Sequence, residues 1–271
     1  MTPTGTPKDV ARVEGRPACR AAEVLEWRDG RGDPRYACVY APDLTQKSAL
    51  PVVLFFHGTG PTLDDPSSLT KLTTLRTHAS AYKFPGAKDD AAGFIVLGIQ
   101  GRKLGESVNT FDTDHVDEKN LDVVATDEFL ARLQARGVVD RTRVYAMGFG
   151  VGATMAMTYA ALRPDRVAAI AAFAPPKVPA VWECPTPPPP AWIAYRACDA
   201  IAPCDALESW AQRRGGETAL VRVGDDARSE PACSTRNKCT PKRATANHHR
   251  FPKGQEKALL GFLGGHTLRV K

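Results

Sequence analysis

The feature that most constrains the fold is a series of apolar runs that lack the polar alternation of a half-exposed strand. The clearest is Pro-Val-Val-Leu-Phe-Phe at 51–56, which is followed by His57-Gly58. Near-continuous apolar runs of this kind form strands that are buried on both faces, as in a parallel sheet. Further runs of the same kind lie at 93–101, 143–150, 167–176, 191–199 and 218–225.

Helix-like segments separate these runs. Between 117 and 137 apolar residues recur with the 3.6-residue period of an amphipathic helix, and 152–163 is rich in Ala and Met, as expected for a buried helix. Shorter helices are predicted at 207–214 and 254–263. The alternation of strands and helices predicts an α/β fold with a mostly parallel, doubly wound sheet, whose ligands bind at the carboxyl ends of the strands.

The N-terminal part departs from this alternation. Segments 23–28 and 36–42 flank Asp29-Gly30-Arg31-Gly32, a pattern that predicts an antiparallel hairpin. We therefore expect an antiparallel start to the sheet within a single domain at 19–271, preceded by a flexible segment at 1–18.

Composition excludes several classes of protein. Of the 271 residues, 43% are hydrophobic, which is enough for a full core and argues against disorder. The longest apolar run, 167–176, is far shorter than the ~20 residues that a transmembrane helix needs. The net charge is +6, and 236–271 contains nine Lys or Arg and one acidic residue. We interpret this stretch as a solvated basic face and expect no nucleic-acid partner, because aromatic residues do not interleave with the charges in a nucleic-acid-binding pattern.

The cysteines predict disulfides. The chain has seven, which is many for a cytosolic enzyme of this size. Cys198 with Cys204, and Cys233 with Cys239, bound short loops, so we expect bonds within or between these pairs.

A bond from Cys19 to Cys38 is less favoured than these pairs, because the hairpin register places a residue near Leu25 opposite Cys38. Two or three disulfides favour an extracellular or periplasmic location, although the sequence shows no export signal at 1–10. The alternative is a set of buried free thiols. The spacing of Cys and His fits no zinc site, and neither a metal nor a cofactor is expected.

A strand, a sharp turn and a helix are predicted across 143–167. The turn reads Gly148-Phe149-Gly150-Val151-Gly152, which has both outer glycines of the nucleophile elbow G-x-S-x-G but glycine in place of the serine. Gly148, Gly150 and Ala153 also fit the dinucleotide fingerprint G-x-G-x-x-A. That reading is disfavoured, because four strands precede the turn and the next strand ends without the acidic residue that binds ribose.

Four segments in order resemble the polyhydroxybutyrate-depolymerase and feruloyl-esterase-like branch of the α/β-hydrolases. They are HGTG at 57–60, RVYAMGFGVGATMA at 143–156, RPDRVAAIAAFAP at 163–175 and HHRFP at 248–252. The resemblance covers about 20–265 and implies an α/β-hydrolase fold. It also implies a carboxylic-ester hydrolase acting on a small ester or on a polyester or polysaccharide-linked ester.

The resemblance also implies roles for individual residues. The backbone N–H groups of Thr59 and Val151 would bind the oxyanion. Asp199 would be the acid that orients the base, although Tyr195-Arg196 replaces the usual His-Gly before it. His249 would be the base, with His248 as the alternative. The structural alternatives are an ordinary strand-end turn at 57–60, a helix-capping Asp199 and a surface basic loop around His249.

Gly150 is the departure with the largest consequence. Glycine has no side chain and cannot form an acyl-enzyme, so the sequence predicts little or no serine-esterase turnover. Three hypotheses follow: a pseudoenzyme that binds a ligand or polymer, an altered enzyme that traps its substrate, and a hydrolase in which His249 activates water directly.

Overall fold

An eight-stranded mixed sheet forms the centre of the molecule. The structure, a computed structural model, describes residues 16–19, 22–42, 49–60, 79–80, 82–85, 93–104, 109–179, 187–196, 199, 201–202, 204–223 and 255–268. The strands are β1 (Glu23–Arg28), β2 (Pro34–Tyr40), β3 (Leu50–Phe56), β4 (Ile95–Ile99), β5 (Arg102–Lys103), β6 (Asn109–Thr110), β7 (Val139–Phe149), β8 (Ala169–Phe173), β9 (Ala191–Tyr195) and β10 (Thr218–Arg222).

The sheet order is β1-β2-β4-β3-β7-β8-β9-β10. The pairs β1–β2 and β2–β4 are antiparallel, whereas every pair from β4–β3 to β9–β10 is parallel. The predicted fold class, a mostly parallel sheet with an antiparallel N-terminal hairpin, is confirmed. Strands β5 and β6 form a separate two-stranded ribbon that the sequence did not predict.

Helices cover both faces of the sheet. They are α1 (Leu121–Ala135), α2 (Val151–Leu162), α3 (Cys204–Arg213) and α4 (Glu256–Gly264). Buried residues of α1, α2 and α3 share one apolar cluster, and those of α4 pack in a second cluster with Tyr145 and Trp192. In the described part of the chain, no helix combines the length and apolarity needed to cross a bilayer.

The low ranking of a Cys19–Cys38 bond was wrong, because these two residues form a disulfide with their Cα atoms 5.4 Å apart. The hairpin register itself is as predicted, since Val24, the neighbour of Leu25, lies opposite Cys38. Cys19 does not need a place in that register. It lies before β1 with a left-handed φ of 45°, and its carbonyl accepts the Ala22 N–H at 2.7 Å, so the chain turns just before the hairpin.

The other predicted disulfides involve residues outside the described part. Cys204 is disulfide-bonded, and the pairing predicted for its loop stays a prediction. Cys198, Cys233 and Cys239 lie outside the described residues.

Candidate active site

Gly150 is the only residue between strand β7 and helix α2. Its φ of 55° and ψ of −127° lie outside the regions that L side chains favour. The Gly150 N–H donates to the Phe173 carbonyl of the next strand at 2.9 Å, and its own carbonyl accepts the Ala153 N–H at 2.9 Å. The backbone therefore reverses within one residue, at the carboxyl edge of the sheet.

The outer glycines of this turn are required by packing. A Cβ on Gly148 would lie 2.0 Å from the Gly152 carbonyl oxygen, and a Cβ on Gly152 would lie 2.2 Å from the Phe56 carbonyl oxygen. Helix α2 can therefore begin directly against β3 and β7 only because both positions lack a side chain.

The turn at 57–60 follows strand β3 and lies beside Gly150. Phe56, the last residue of β3, pairs with Gly148 of β7. His57 is fully buried, and its Nε2 accepts the Gly101 N–H at 2.8 Å, while its Nδ1 faces the Gly58 carbonyl. This pattern requires the tautomer that carries the proton on Nδ1. His57 therefore ties the turn to the end of β4.

The β5–β6 ribbon packs against the same turn. Gly60 and Asn109 exchange two backbone hydrogen bonds of 3.1 and 2.8 Å. The Thr59 and Thr110 hydroxyls lie 3.4 Å apart, and Phe111 packs on the His57 ring with centroids 4.9 Å apart. Two-residue strands leave no hydrophobic period in a sequence, which is why this neighbour of the turn was missed.

The N–H groups expected to bind an oxyanion lie on the two turns. Val151 is the first residue of α2, so its N–H has no acceptor within the helix. Thr59 is exposed. Within the described residues, neither N–H donates to an acceptor in a loop or turn. Helix α2 also has no acidic residue in its first turn, so none of the helix's own side chains offsets the partial positive charge at this end.

Asp199 follows strand β9 and is fully buried. Its Oδ1 accepts the N–H groups of Ile201 at 2.8 Å and Ala202 at 3.0 Å. Helix α3 begins later, at Cys204, so these bonds order the loop and do not cap that helix.

The carboxyl ends of three neighbouring strands connect Gly150 with Asp199. Phe149 pairs with Phe173, and Phe173 pairs with Ala194. Since adjacent strands are ~4.8 Å apart, β7 and β9 are about 10 Å apart at this edge. Between them Ala174 has a strained φ of 49° and is buried. Both candidate histidines, His248 and His249, lie outside the described residues.

A cavity of about 990 Å³ lies elsewhere. Its lining includes 167–168, 187–190 and 215–217, which precede β8, β9 and β10. It is therefore at the amino edge of the sheet, opposite Gly150. The described residues contain no group of three His, Cys, Asp or Glu placed to bind a metal.

The strand order and the one-residue turn from β7 into α2 define an α/β-hydrolase fold. A family model described as "Putative esterase" matches residues 31–255. The chain belongs to this esterase family.

Individual relatives agree with this assignment. A curated protein named "Putative esterase NocK", from Nocardia uniformis subsp. tsuyamanensis, is 30% identical over 203 residues, which are 73% of this chain and 54% of that protein. The chain thus spans about half the length of this relative.

Solved structures show the same fold at low identity. A thermostable esterase superposes with a TM-score of 0.61 at 14% identity, over 92% of this chain and 64% of that one. The Thermogutta terrifontis esterase 2, phosphoramylated by tabun, superposes with a TM-score of 0.56 at 17% identity, over 81% of this chain and 92% of that one.

Proposed function

We propose that this chain is a carboxylic-ester hydrolase of the serine-esterase type in which Gly150 occupies the nucleophile position. The observation that carries the proposal is the positive φ of 55° at Gly150, the only residue between β7 and α2. This is the place where a G-x-S-x-G elbow holds its serine. With glycine at this position, the chain has near-background ester hydrolysis, because glycine offers no atom to attack the carbonyl carbon.

The remaining parts of the site are assigned by position. The N–H groups of Thr59 and Val151 bind the oxyanion, and both are backbone groups that do not depend on a serine. Asp199, held by two N–H donors, orients the base His249, with His248 as the alternative. The chain order nucleophile, acid, base is that of the α/β-hydrolases.

The substrate class and location are part of the same proposal. Membership of an esterase family supports an ester substrate. The motifs shared with the depolymerase and feruloyl-esterase-like branch point to a polyester or a polysaccharide-linked ester. The buried Cys19–Cys38 bond supports an extracellular or periplasmic location.

A restored nucleophile tests the proposal. Gly150→Ser should raise hydrolysis of a short p-nitrophenyl ester on the order of 10³-fold or more, by analogy with triad knockouts. Gly150→Ala is the matched control, because it imposes the same backbone strain without a hydroxyl. Adding Asp199→Ala or His249→Ala to Gly150→Ser should remove the gain. Robust hydrolysis by the unaltered protein that survives His249→Ala would contradict the site assignment.

The second candidate is a non-catalytic module that binds esters or polymers. What favours it is that both proposed oxyanion donors are backbone N–H groups, one of them at the start of α2, and neither depends on a serine. Binding of an insoluble polyester by the unaltered protein, together with no rescue by Gly150→Ser, would favour this candidate. Activity of the unaltered protein that disappears with His249→Ala would instead favour direct activation of water.

A further inference from the structure

Asp122 lies at the centre of a buried ion cluster that the proposed reaction does not use. Its carboxylate binds Arg35, and Arg102 donates to it from Nε at 3.1 Å and from Nη2 at 3.3 Å. The side chains of Asp122, Arg35 and Arg102 are 0, 1 and 7% exposed. Burial raises the pKa of Asp122, but the charges of Arg35 and Arg102, together with the hydrogen bonds from the Asp112 N–H and Arg102, hold the pKa below its usual value.

Stability alone does not explain such a cluster. Removing charged groups from water costs several kcal/mol per ion, and a packed apolar cluster is often at least as stable. Buried ion pairs do have a strict geometry, so they can fix the relative position of the segments that carry them. The segments that meet at Asp122 therefore indicate what the cluster does.

Two of these segments belong to the β5–β6 ribbon. Arg102 is the first residue of β5, and Asp112, whose N–H donates to Asp122 Oδ2 at 2.8 Å, follows β6 closely. Both ends of the ribbon are thus held by one carboxylate. Arg35 reaches the same carboxylate from β2, and among the described residues it also contacts Asp29 at 3.8 Å and the Leu121 carbonyl at 3.4 Å.

The ribbon in turn holds the turn at 57–60. The bonds between Gly60 and Asn109, the contact between the Thr59 and Thr110 hydroxyls and the packing of Phe111 on His57 all join the ribbon to that turn. A continuous path of contacts therefore runs from Asp122 through Arg102 and the ribbon to Thr59.

We propose that Arg102 is a positioning residue that, through Asp122, holds the β5–β6 ribbon against the turn at 57–60 and so sets the direction of the Thr59 N–H. The role of the Thr59 N–H as an oxyanion donor rests on the proposed function. Arg35 supplies the second positive charge to Asp122, and within the described residues its ion pairs and hydrogen bonds reach Asp29, Asp122 and Leu121 but not the ribbon. The two arginines thus share one carboxylate but differ in what they position.

This difference allows a matched comparison in the unaltered protein. Arg102→Gln and Arg35→Gln each remove one guanidinium from Asp122, so both should lower global stability. Hydrogen exchange of the Gly60 and Asn109 amides is measured relative to core amides of β7. Arg102→Gln should accelerate exchange at the Gly60 and Asn109 amides at least tenfold more than at the core amides. Arg35→Gln should instead change the exchange of these two amides and of the core amides by the same factor. Equal local effects of the two variants would overturn the proposal.

Should either Gln variant not fold, Arg102→Lys and Arg35→Lys make the same comparison, because each keeps a charge but loses the forked geometry. Greater local exchange in Arg102→Lys is again expected, and equal exchange overturns the proposal.

The catalytic consequence is tested with Gly150→Ser. Arg102→Gln should lower kcat about tenfold with little change in KM, less than the 10²–10³-fold loss on removing an oxyanion donor. Arg35→Gln should leave kcat within about twofold, and equal losses of kcat in the two variants would overturn the catalytic part. If Gly150→Ser is itself inactive, the proposed function fails, while the exchange comparison still decides the role of Arg102.

Discussion

At Gly150 the backbone conformation predicts a cost for any side chain. A residue with a Cβ at a φ of 55° and ψ of −127° is strained by about 1–3 kcal/mol. We expect Gly150→Ala and Gly150→Ser each to lower the free energy of unfolding by about this amount. Urea denaturation measures the change, and an unchanged midpoint for Gly150→Ala would contradict the strained conformation.

Single residues differed in how far the sequence revealed their roles. Gly150 could be singled out because it interrupts a known local pattern, and Asp199 because it follows a buried apolar run. Arg102 and Asp122 could not, because twenty positions separate them and a charged residue in a sequence usually indicates an exposed face. The partner of a buried charge is set by tertiary packing, which local periodicity does not encode.

Among the elements, the junction of β7 and α2 is the most sensitive to added volume. Gly148→Ala and Gly152→Ala should each lower the free energy of unfolding by about 3 kcal/mol or more, because the new Cβ would meet backbone atoms at 2.0 and 2.2 Å. Gly30→Ala is the matched control, since no atom lies within 4 Å of its Cβ position.

Chemical denaturation of the three variants provides the measurement. Gly30→Ala should stay within about 0.5 kcal/mol of the unaltered protein. A mild effect of Gly152→Ala, similar to that of Gly30→Ala, would show that α2 does not begin as close to β3 as described.

Elements were predictable in proportion to their length and burial. The run at 51–56 became β3, and the periodic segment at 117–137 became α1, trimmed to Leu121–Ala135. The start of α1 is set by Asn120, whose side chain accepts the N–H groups of Asp122 and Val123. The ribbon was missed because two residues per strand are too few to show a period.

For the whole molecule, the Cys19–Cys38 bond ties the segment before the hairpin to the second strand of the sheet. The two residues are 19 positions apart. A bond closing a loop of this size stabilises by about 2–4 kcal/mol, so Cys19→Ala combined with Cys38→Ala should lower the free energy of unfolding by that amount.

The measurement is made without reductant, because Cys204 is also disulfide-bonded and a reductant would act on both bonds. Peptide mapping of the unaltered, non-reduced protein should recover Cys19 and Cys38 in one linked fragment. Separate fragments, or equal stability of the double variant, would contradict the bond.

Stability of the whole molecule should also depend on the charge of Asp122 in acid. Its folded-state pKa lies below the ordinary value of 3.8, so folding favours the carboxylate. The resulting stability is fully present above the unfolded-state pKa and is lost as the pH falls through the folded-state pKa. We expect Asp122→Asn to be markedly less stable than the unaltered protein at pH 7 and the difference to shrink below about pH 4.

Urea midpoints measured at pH 7, 5, 4 and 3 give this comparison directly. A difference that stays constant from pH 7 to pH 3 would mean that Asp122 is not held as a carboxylate in the fold.

The positive φ of Gly150 also has a consequence in genetic terms. Glycine codons GGT and GGC become serine codons AGT and AGC by a single base change. Since the backbone at this position favours glycine, selection for stability alone retains it, and selection for turnover must act against that preference. Whichever residue relatives carry here therefore records the balance between these two pressures.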